Sequence, residues 1–129
     1  MRVATLAGSH RAGSLNRRLA ALASRLATKH GAAAVDVIDL KPLDLPLYDG
    51  DVEAQGLPPG VVELRARLAA SPALFVACPE YNASIPGPLK NAIDWASRPP
   101  AQPFMGKVAA IACVTGGTSG GARVLPDLR

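Results

Sequence analysis

Four short apolar runs alternate along the chain with longer stretches in which apolar residues return every three or four positions. That alternation predicts strands joined by crossover helices. Arg2 to Ala7, Val35 to Leu40, Ala73 to Pro79 and Lys107 to Thr115 are the strand-like runs, each dense enough in apolar residues to be buried in a parallel sheet. Between the first two, Leu15, Leu19, Leu22, Ala23, Leu26 and Ala27 recur at helical spacing from Ser14 to Lys29, and His30-Gly31 supplies a helix stop. A second helix is expected over Val61 to Ser71, with Val62, Leu64, Leu68 and Ala69 on its buried stripe. A third opens at Pro86-Gly87-Pro88 and carries Leu89, Ile93 and Ala96 on one face and a Lys90 to Asp94 pair on another. The segment from Pro42 to Gly60, punctuated by Pro46, Asp49, Gly50, Gly56, Pro58 and Pro59, is a long irregular connection of the kind that covers a site or meets a partner.

The expected architecture is therefore a single α/β domain built on a doubly wound parallel sheet. Ligands of such sheets bind beyond the carboxyl ends of the strands, where the strand order reverses. Three loops reach that edge, at residues 8 to 16, 79 to 87 and 115 to 121.

The first loop, Gly8-Ser9-His10-Arg11-Ala12-Gly13-Ser14-Leu15-Asn16, lies between a strand and a helix and offers hydroxyls, a guanidinium and free helix amides together. Phosphate is the anion these donors suit, because a helix N-terminus contributes unpaired N–H groups and partial positive charge while Arg adds a charge-assisted fork. The competing reading is a plain turn with Ser14 as N-cap. Ser14 occupies the place of a Walker lysine, and Gly8 is followed by Ser9 and His10 rather than by the spacing of a dinucleotide fingerprint, so one terminal phosphate fits better than a di- or triphosphate. The second loop, Pro79-Glu80-Tyr81-Asn82-Ala83-Ser84-Ile85-Pro86, combines amides, a ring and proline stiffness. Tyr81 and Asn82 backbone N–H groups, the Asn82 amide and the Tyr81 ring could serve the polar edge and the face of a flat heteroaromatic. A stiffened turn is the alternative there. Gly116 and Gly117 would let backbone approach the opposite edge of such a ligand.

Composition narrows the remaining possibilities. With 49% apolar and 19% charged residues the chain reads as a soluble globular protein, without a run long enough to span a bilayer and without a signal peptide, so a cytoplasmic place is expected. Cys78 and Cys113 sit in apolar runs with no neighbouring base, as buried hydrophobes rather than disulfide partners or nucleophiles. The formal charge of +4 raises nucleic acid as a partner, but Arg17, Arg18, Arg25 and Lys29 form a solvated helix face and aromatics are only 4% of the chain, too few for base stacking. Such a charge also attracts anionic substrates.

The sequence resembles the NADPH-dependent FMN reductase family of flavodoxin-like proteins. The resemblance rests on Gly8-Ser9-x-Arg11-x-x-Ser14-x-Asn16, Pro79-Glu80-Tyr81-Asn82 with Ser84-Ile85-Pro86, Leu89-Lys90-Asn91-Ala92-Ile93-Asp94-Trp95 and Gly116-Gly117. It implies that Ser9, Arg11, Ser14, Leu15 and Asn16 hold the phosphate of FMN, and that Pro79, Glu80, Tyr81, Asn82, Ser84, Ile85, Gly116 and Gly117 border its ring. Hydride would pass from NADPH through bound FMN to a small acceptor such as a quinone, an azo compound, a metal oxyanion or a free flavin. No protein acid or base is required by that scheme, no residue is assigned to a metal, and His10 is expected to be a loop residue. Two rivals remain, an electron-carrying flavodoxin and a flavin-free scaffold of the same fold. The family implies strand order 2-1-3-4-5 with a helix after Gly121, a fifth strand and a closing helix. Residues 1–129 are then expected to be one flavodoxin-like domain incomplete at its C-terminus, with order 2-1-3-4 and the fifth strand missing. The uncharged run Val108 to Val114 would be left as a sheet edge, which a longer polypeptide, a partner chain or a swapped segment would cover, and a homodimer or homotetramer is the expected assembly.

Overall fold

The computed structural model describes residues 1–100 and 102–129. β1 (Arg2–Ala7), β2 (Ala34–Ile38), β3 (Ala73–Ala77) and β4 (Val108–Ala112) form one parallel sheet in the order β2-β1-β3-β4. The register places Thr5 beside Val37 on one side and Phe75 on the other, and Ala77 beside Ala112. The first change of direction in strand order falls at β1 and β3, so the ends of those strands part and leave a crevice above them.

α1 (Leu15–Lys29) lies on the sheet face that presents Thr5. α3 (Pro59–Ala69) and α4 (Gly87–Ala96) pack on each other, and with Leu6, Leu74 and Val76 on the opposite face they build the core around Leu64, Leu68 and Leu89. Two short helices complete the fold, α2 (Gly50–Gln55) inside the long connection and α5 (Val124–Leu128), which begins where the resemblance places a helix after Gly121. α2 is started by Asp49, whose carboxylate accepts from the Asp51 amide at 2.8 Å.

The long connection is neither a lid nor a free arm. It is a strap along α4: Asn91 Nδ2 and Trp95 Nε1 both donate to the Pro46 carbonyl, at 2.8 and 2.7 Å, the Tyr48 amide donates to Asn91 Oδ1 at 2.8 Å, and the Tyr48 ring meets Trp95 edge-on at 5.0 Å. Its root is pressed so closely against α3 that a Cβ on Gly60 would lie 1.8 Å from the Leu43 carbonyl oxygen.

α1 departs from the expected packing. Leu15, Leu22 and Leu26 are exposed, and the face against the sheet is Asn16, Ala20 and Ser24. Small residues let the helix axis come close, and the Ser24 hydroxyl then bonds both the Ala20 carbonyl at 2.8 Å and the Thr5 hydroxyl at 2.7 Å, so the buried polar atoms are satisfied. The strands also stop earlier than expected, at Ala77 and Ala112, and a single bond from the Cys78 amide to the Ala112 carbonyl carries the ladder one step further.

Candidate functional site

The crevice begins where β1 ends. The Gly8 amide donates to the Ala77 carbonyl at 2.9 Å, and a Cβ there would come within 2.9–3.0 Å of Leu89, so glycine lets α4 approach the start of the loop. From Gly8 the chain turns through residues 9 to 14 into α1. Ser14 is the N-cap: its Oγ accepts from the Arg17 amide at 3.4 Å and its carbonyl from the Arg18 amide at 3.3 Å. The amides of Leu15 and Asn16 have no partner one turn back, as at every helix start, and the Ser14 hydroxyl proton remains available. Ser9 Oγ accepts from the Arg11 amide at 3.3 Å and shares a hydrogen bond with the Tyr81 hydroxyl at 3.1 Å. Ser9 and Ser14 are buried, whereas the Arg11 residue stands exposed.

A cavity of about 340 Å³ opens here, and all three strand-end loops line it. Of the residues expected at the site, Ser9, Arg11, Ser14, Leu15, Asn16, Pro79, Glu80, Tyr81 and Gly116 are on its wall, and Val114 and Thr115 join them. Asn82, Ser84, Ile85 and Gly117 are not on that wall. The volume is at the lower end of the range of small-molecule sites, about 300–1,000 Å³.

The second loop is more tightly self-bonded than its sequence suggests. Tyr81 and Ser84 exchange backbone hydrogen bonds, 3.1 Å in each direction, around Asn82 and Ala83, whose φ values are +48° and +64°. This is a two-residue reversal with both central residues left-handed. The Tyr81 amide is therefore spent on Ser84 and is not free for a ligand edge. Glu80 is likewise engaged: one carboxylate oxygen accepts from the Arg123 and Val124 amides at 3.1 and 3.3 Å and so holds the start of α5, while the Ser84 hydroxyl donates to Asp127 at 2.9 Å. Ile85 packs against the core.

Gly116 and Gly117 meet the sequence argument halfway. Neither has a positive φ, and a Cβ at either would touch no protein atom. No neighbour in the fold demands glycine there, and at Gly116 the open side belongs to the cavity wall. Further along this loop Gly121 has no room for a side chain: its φ is +84°, and a Cβ would lie 2.4 Å from Cys113 Cβ.

Both cysteines are free. Burial pushes the Cys78 thiol up to about 12, and burial also raises Cys113, so neither is a thiolate at neutral pH. Among the described residues no cluster of His, Cys, Asp and Glu could hold a metal ion, and no helix is long and apolar enough to cross a membrane.

Comparison with known proteins concerns the chain as a whole. The family model described as NADPH-dependent FMN reductase matches residues 1–129. Over 129 residues the chain is 45% identical to an NAD(P)H-dependent FMN reductase of Pseudomonas aeruginosa, covering all of this chain and 68% of that protein. It is 42% identical over 131 residues to a quinone reductase of Escherichia coli, again covering all of this chain and 68% of the relative. Among solved structures, the flavoenzyme NAD(P)H:(acceptor) oxidoreductase FerB of Paracoccus denitrificans superposes with a TM-score of 0.83 at 38% identity, over 98% of this chain and 68% of that one.

Proposed function

The chain belongs to the NADPH-dependent FMN reductase family, and from that premise we propose that the cavity between residues 9–16, 79–81 and 114–116 holds FMN, through which hydride from NADPH would reach a small acceptor of the quinone, azo, metal-oxyanion or free-flavin type. The observation that carries this reading is the donor set at one end of the cavity. Two buried hydroxyls, an exposed guanidinium and the free amides of a 15-residue helix converge on a space bounded by a proline, a tyrosine and an open glycine. Such donors match a phosphate monoester, and the remaining wall suits a flat ring.

Bound FMN supplies the two-electron hydride chemistry, and the protein's part is to hold and tune it. Ser14 has a hydroxyl proton to donate, as does Ser9 when the Tyr81 hydroxyl is the donor of their shared bond, Arg11 brings a positive charge to the rim, and the first amides of α1 point along the helix axis at the same place. Tyr81 fixes Ser9 through its hydroxyl and so couples the ring-side loop to the phosphate loop. Glu80 keeps its carboxylate on the α5 amides, away from any proton transfer. His10 is exposed on the loop and lines no part of the cavity.

Titration of the apoprotein with FMN, followed by NADPH oxidation with quinone, azo dye and chromate in parallel, tests the proposal. Yellow protein that consumes NADPH only when an acceptor is present is the expected result. A chain that binds FMN but does not oxidise NADPH would be an electron carrier, and one that stays colourless with excess FMN would be a scaffold. Either outcome overturns the proposal.

A further inference from the structure

We propose that Asn16 is a positioning residue that locks the ring-side wall of the cavity to the phosphate-side helix, rather than a ligand of the phosphate. The inference rests on the FMN reading above. Its basis is a pair of hydrogen bonds: Asn16 Nδ2 donates to the Val114 carbonyl at 2.9 Å, and the Val114 amide donates to Asn16 Oδ1 at 3.1 Å. A primary amide presents a donor and an acceptor side by side, as a peptide group does, so Asn16 satisfies Val114 in the manner of a neighbouring strand. No backbone group serves Val114 among the described residues.

The place of this contact gives it consequence. Val114 is two residues past the end of β4, at the root of the segment whose Thr115 and Gly116 line the cavity, and Asn16 is in the first turn of α1. Glycines follow at 116 and 117, so the segment has little conformational preference of its own. Asn16 is buried, at 3% exposure, and Val114 is half-buried, so losing the pair leaves partly buried backbone groups without partners. Without the clamp the third wall of the cavity would have to be ordered at the moment of binding, and that ordering weakens affinity for the whole ligand. A phosphate ligand would behave differently, because its loss is felt only by ligands that carry phosphate.

Comparison of FMN with phosphate-free riboflavin separates these roles. With the full chain, Asn16→Ala is expected to weaken both flavins by the same factor, about tenfold for two lost hydrogen bonds. Amide exchange at Val114 and Thr115 in flavin-free protein should accelerate as well. Arg11→Ala should weaken FMN and leave riboflavin unchanged. If Asn16→Ala unfolds the chain, Asn16→Ser leaves a small neutral hydroxyl in the same space and adds no charge beside the phosphate end of the cavity. It should then weaken both flavins by an equal factor. Loss of FMN affinity alone in either Asn16 variant would make Asn16 a phosphate ligand and overturn the proposal. Unchanged affinities with a lower melting temperature would make the clamp merely structural and overturn it too. A wild-type chain that binds neither flavin sinks the cofactor reading and this proposal with it, whereas a wild type that binds both while Asn16→Ala loses only FMN sinks this proposal alone.

Discussion

Arg11 stands exposed on a rim where Ser9, Ser14 and Asn16 are buried, and that contrast sorts their contributions. Its guanidinium has no partner within the fold among the described residues, so Arg11→Ala removes little stability. It should lower FMN affinity by about one to two decades, the value of one charge-assisted contact of roughly 1.5–3 kcal/mol. Fluorescence titration of the apoprotein checks this, and an unchanged affinity would refute the phosphate assignment. Ala83 carries the opposite kind of signal. At φ +64° it occupies a conformation that an L side chain resists, by about 1–2 kcal/mol. Ala83→Gly should therefore raise the unfolding free energy by roughly 1 kcal/mol, measurable by denaturant melts. Which residue types gather at the crevice was legible in the sequence, because strand–Gly–helix junctions announce themselves. What their polar atoms are doing was not. Glu80, Asn16 and the Tyr81 amide look like ligand groups in one dimension, yet their partners are residues 123 and 124, residue 114 and residue 84. Two of those three pairings join residues more than forty positions apart, beyond the reach of any local pattern.

The same distinction recurs among the elements. Strand positions and three of the helices follow from periodicity, since burial of one face imposes it. The orientation of α1 does not, nor does all of the α3 stripe, where Val62 and Ala69 are exposed and Val61 and Arg65 are buried. Leu15, Leu22 and Leu26 make one regular stripe and Asn16, Ala20 and Ser24 another, and only the close approach to Thr5 decides for the smaller residues. The motif Leu89-Lys90-Asn91-Ala92-Ile93-Asp94-Trp95 is strapped to residues 46 and 48, so its distinctive Asn and Trp serve the fold. Asn91→Ala should cost about 1–2 kcal/mol, because the Tyr48 amide loses its partner while partly buried and the Pro46 carbonyl is left with Trp95 alone. Calorimetry should report the lower stability, with FMN affinity little changed, since Asn91 does not line the crevice. β2 is held to its neighbours through Asp36, whose carboxylate accepts from Arg67 at 2.5 and 3.2 Å and from Arg2 at 3.3 Å. Hydrogen bonding to Arg67, first among the causes, holds the Asp36 carboxyl below its ordinary value of 3.8. A carboxyl depressed in the folded state contributes stability that is complete above 3.8 and is lost as pH falls through the lower folded value. Asp36→Asn should thus be less stable than wild type by about 1–2 kcal/mol at pH 7. That gap should close on acidification. A gap that does not narrow at all as pH falls below 3.8 would mean the loss is one of packing and not of charge.

At the scale of the whole molecule, the sheet is unevenly covered. The β2 edge is tied down by Arg67, which also donates to the Val37 carbonyl at 2.9 Å, but β4 offers no charged side chain within Val108–Ala112. Val108 is 73% exposed, and on the α1 side Leu22 and Leu26 stand open at 43% and 45%. An uncharged strand edge is a template for pairing with another chain, and monomeric proteins ordinarily blunt such edges with charge, proline or a bulge. The 129-residue chain is therefore expected to self-associate through β4, giving a mass above 13.3 kDa that rises with concentration in light scattering. Ala110→Lys tests the route. Ala110 is an exposed residue in the middle of β4, so a lysine there meets solvent in the monomer and an apposed strand in the associated form. It should shift the equilibrium toward monomer while leaving FMN affinity intact, because residue 110 lies below the crevice and does not line it. A wild-type chain that stays at 13.3 kDa across a hundredfold range of about micromolar to tenths of millimolar concentration would show that this edge is inert, since interfaces of ordinary size associate within that range.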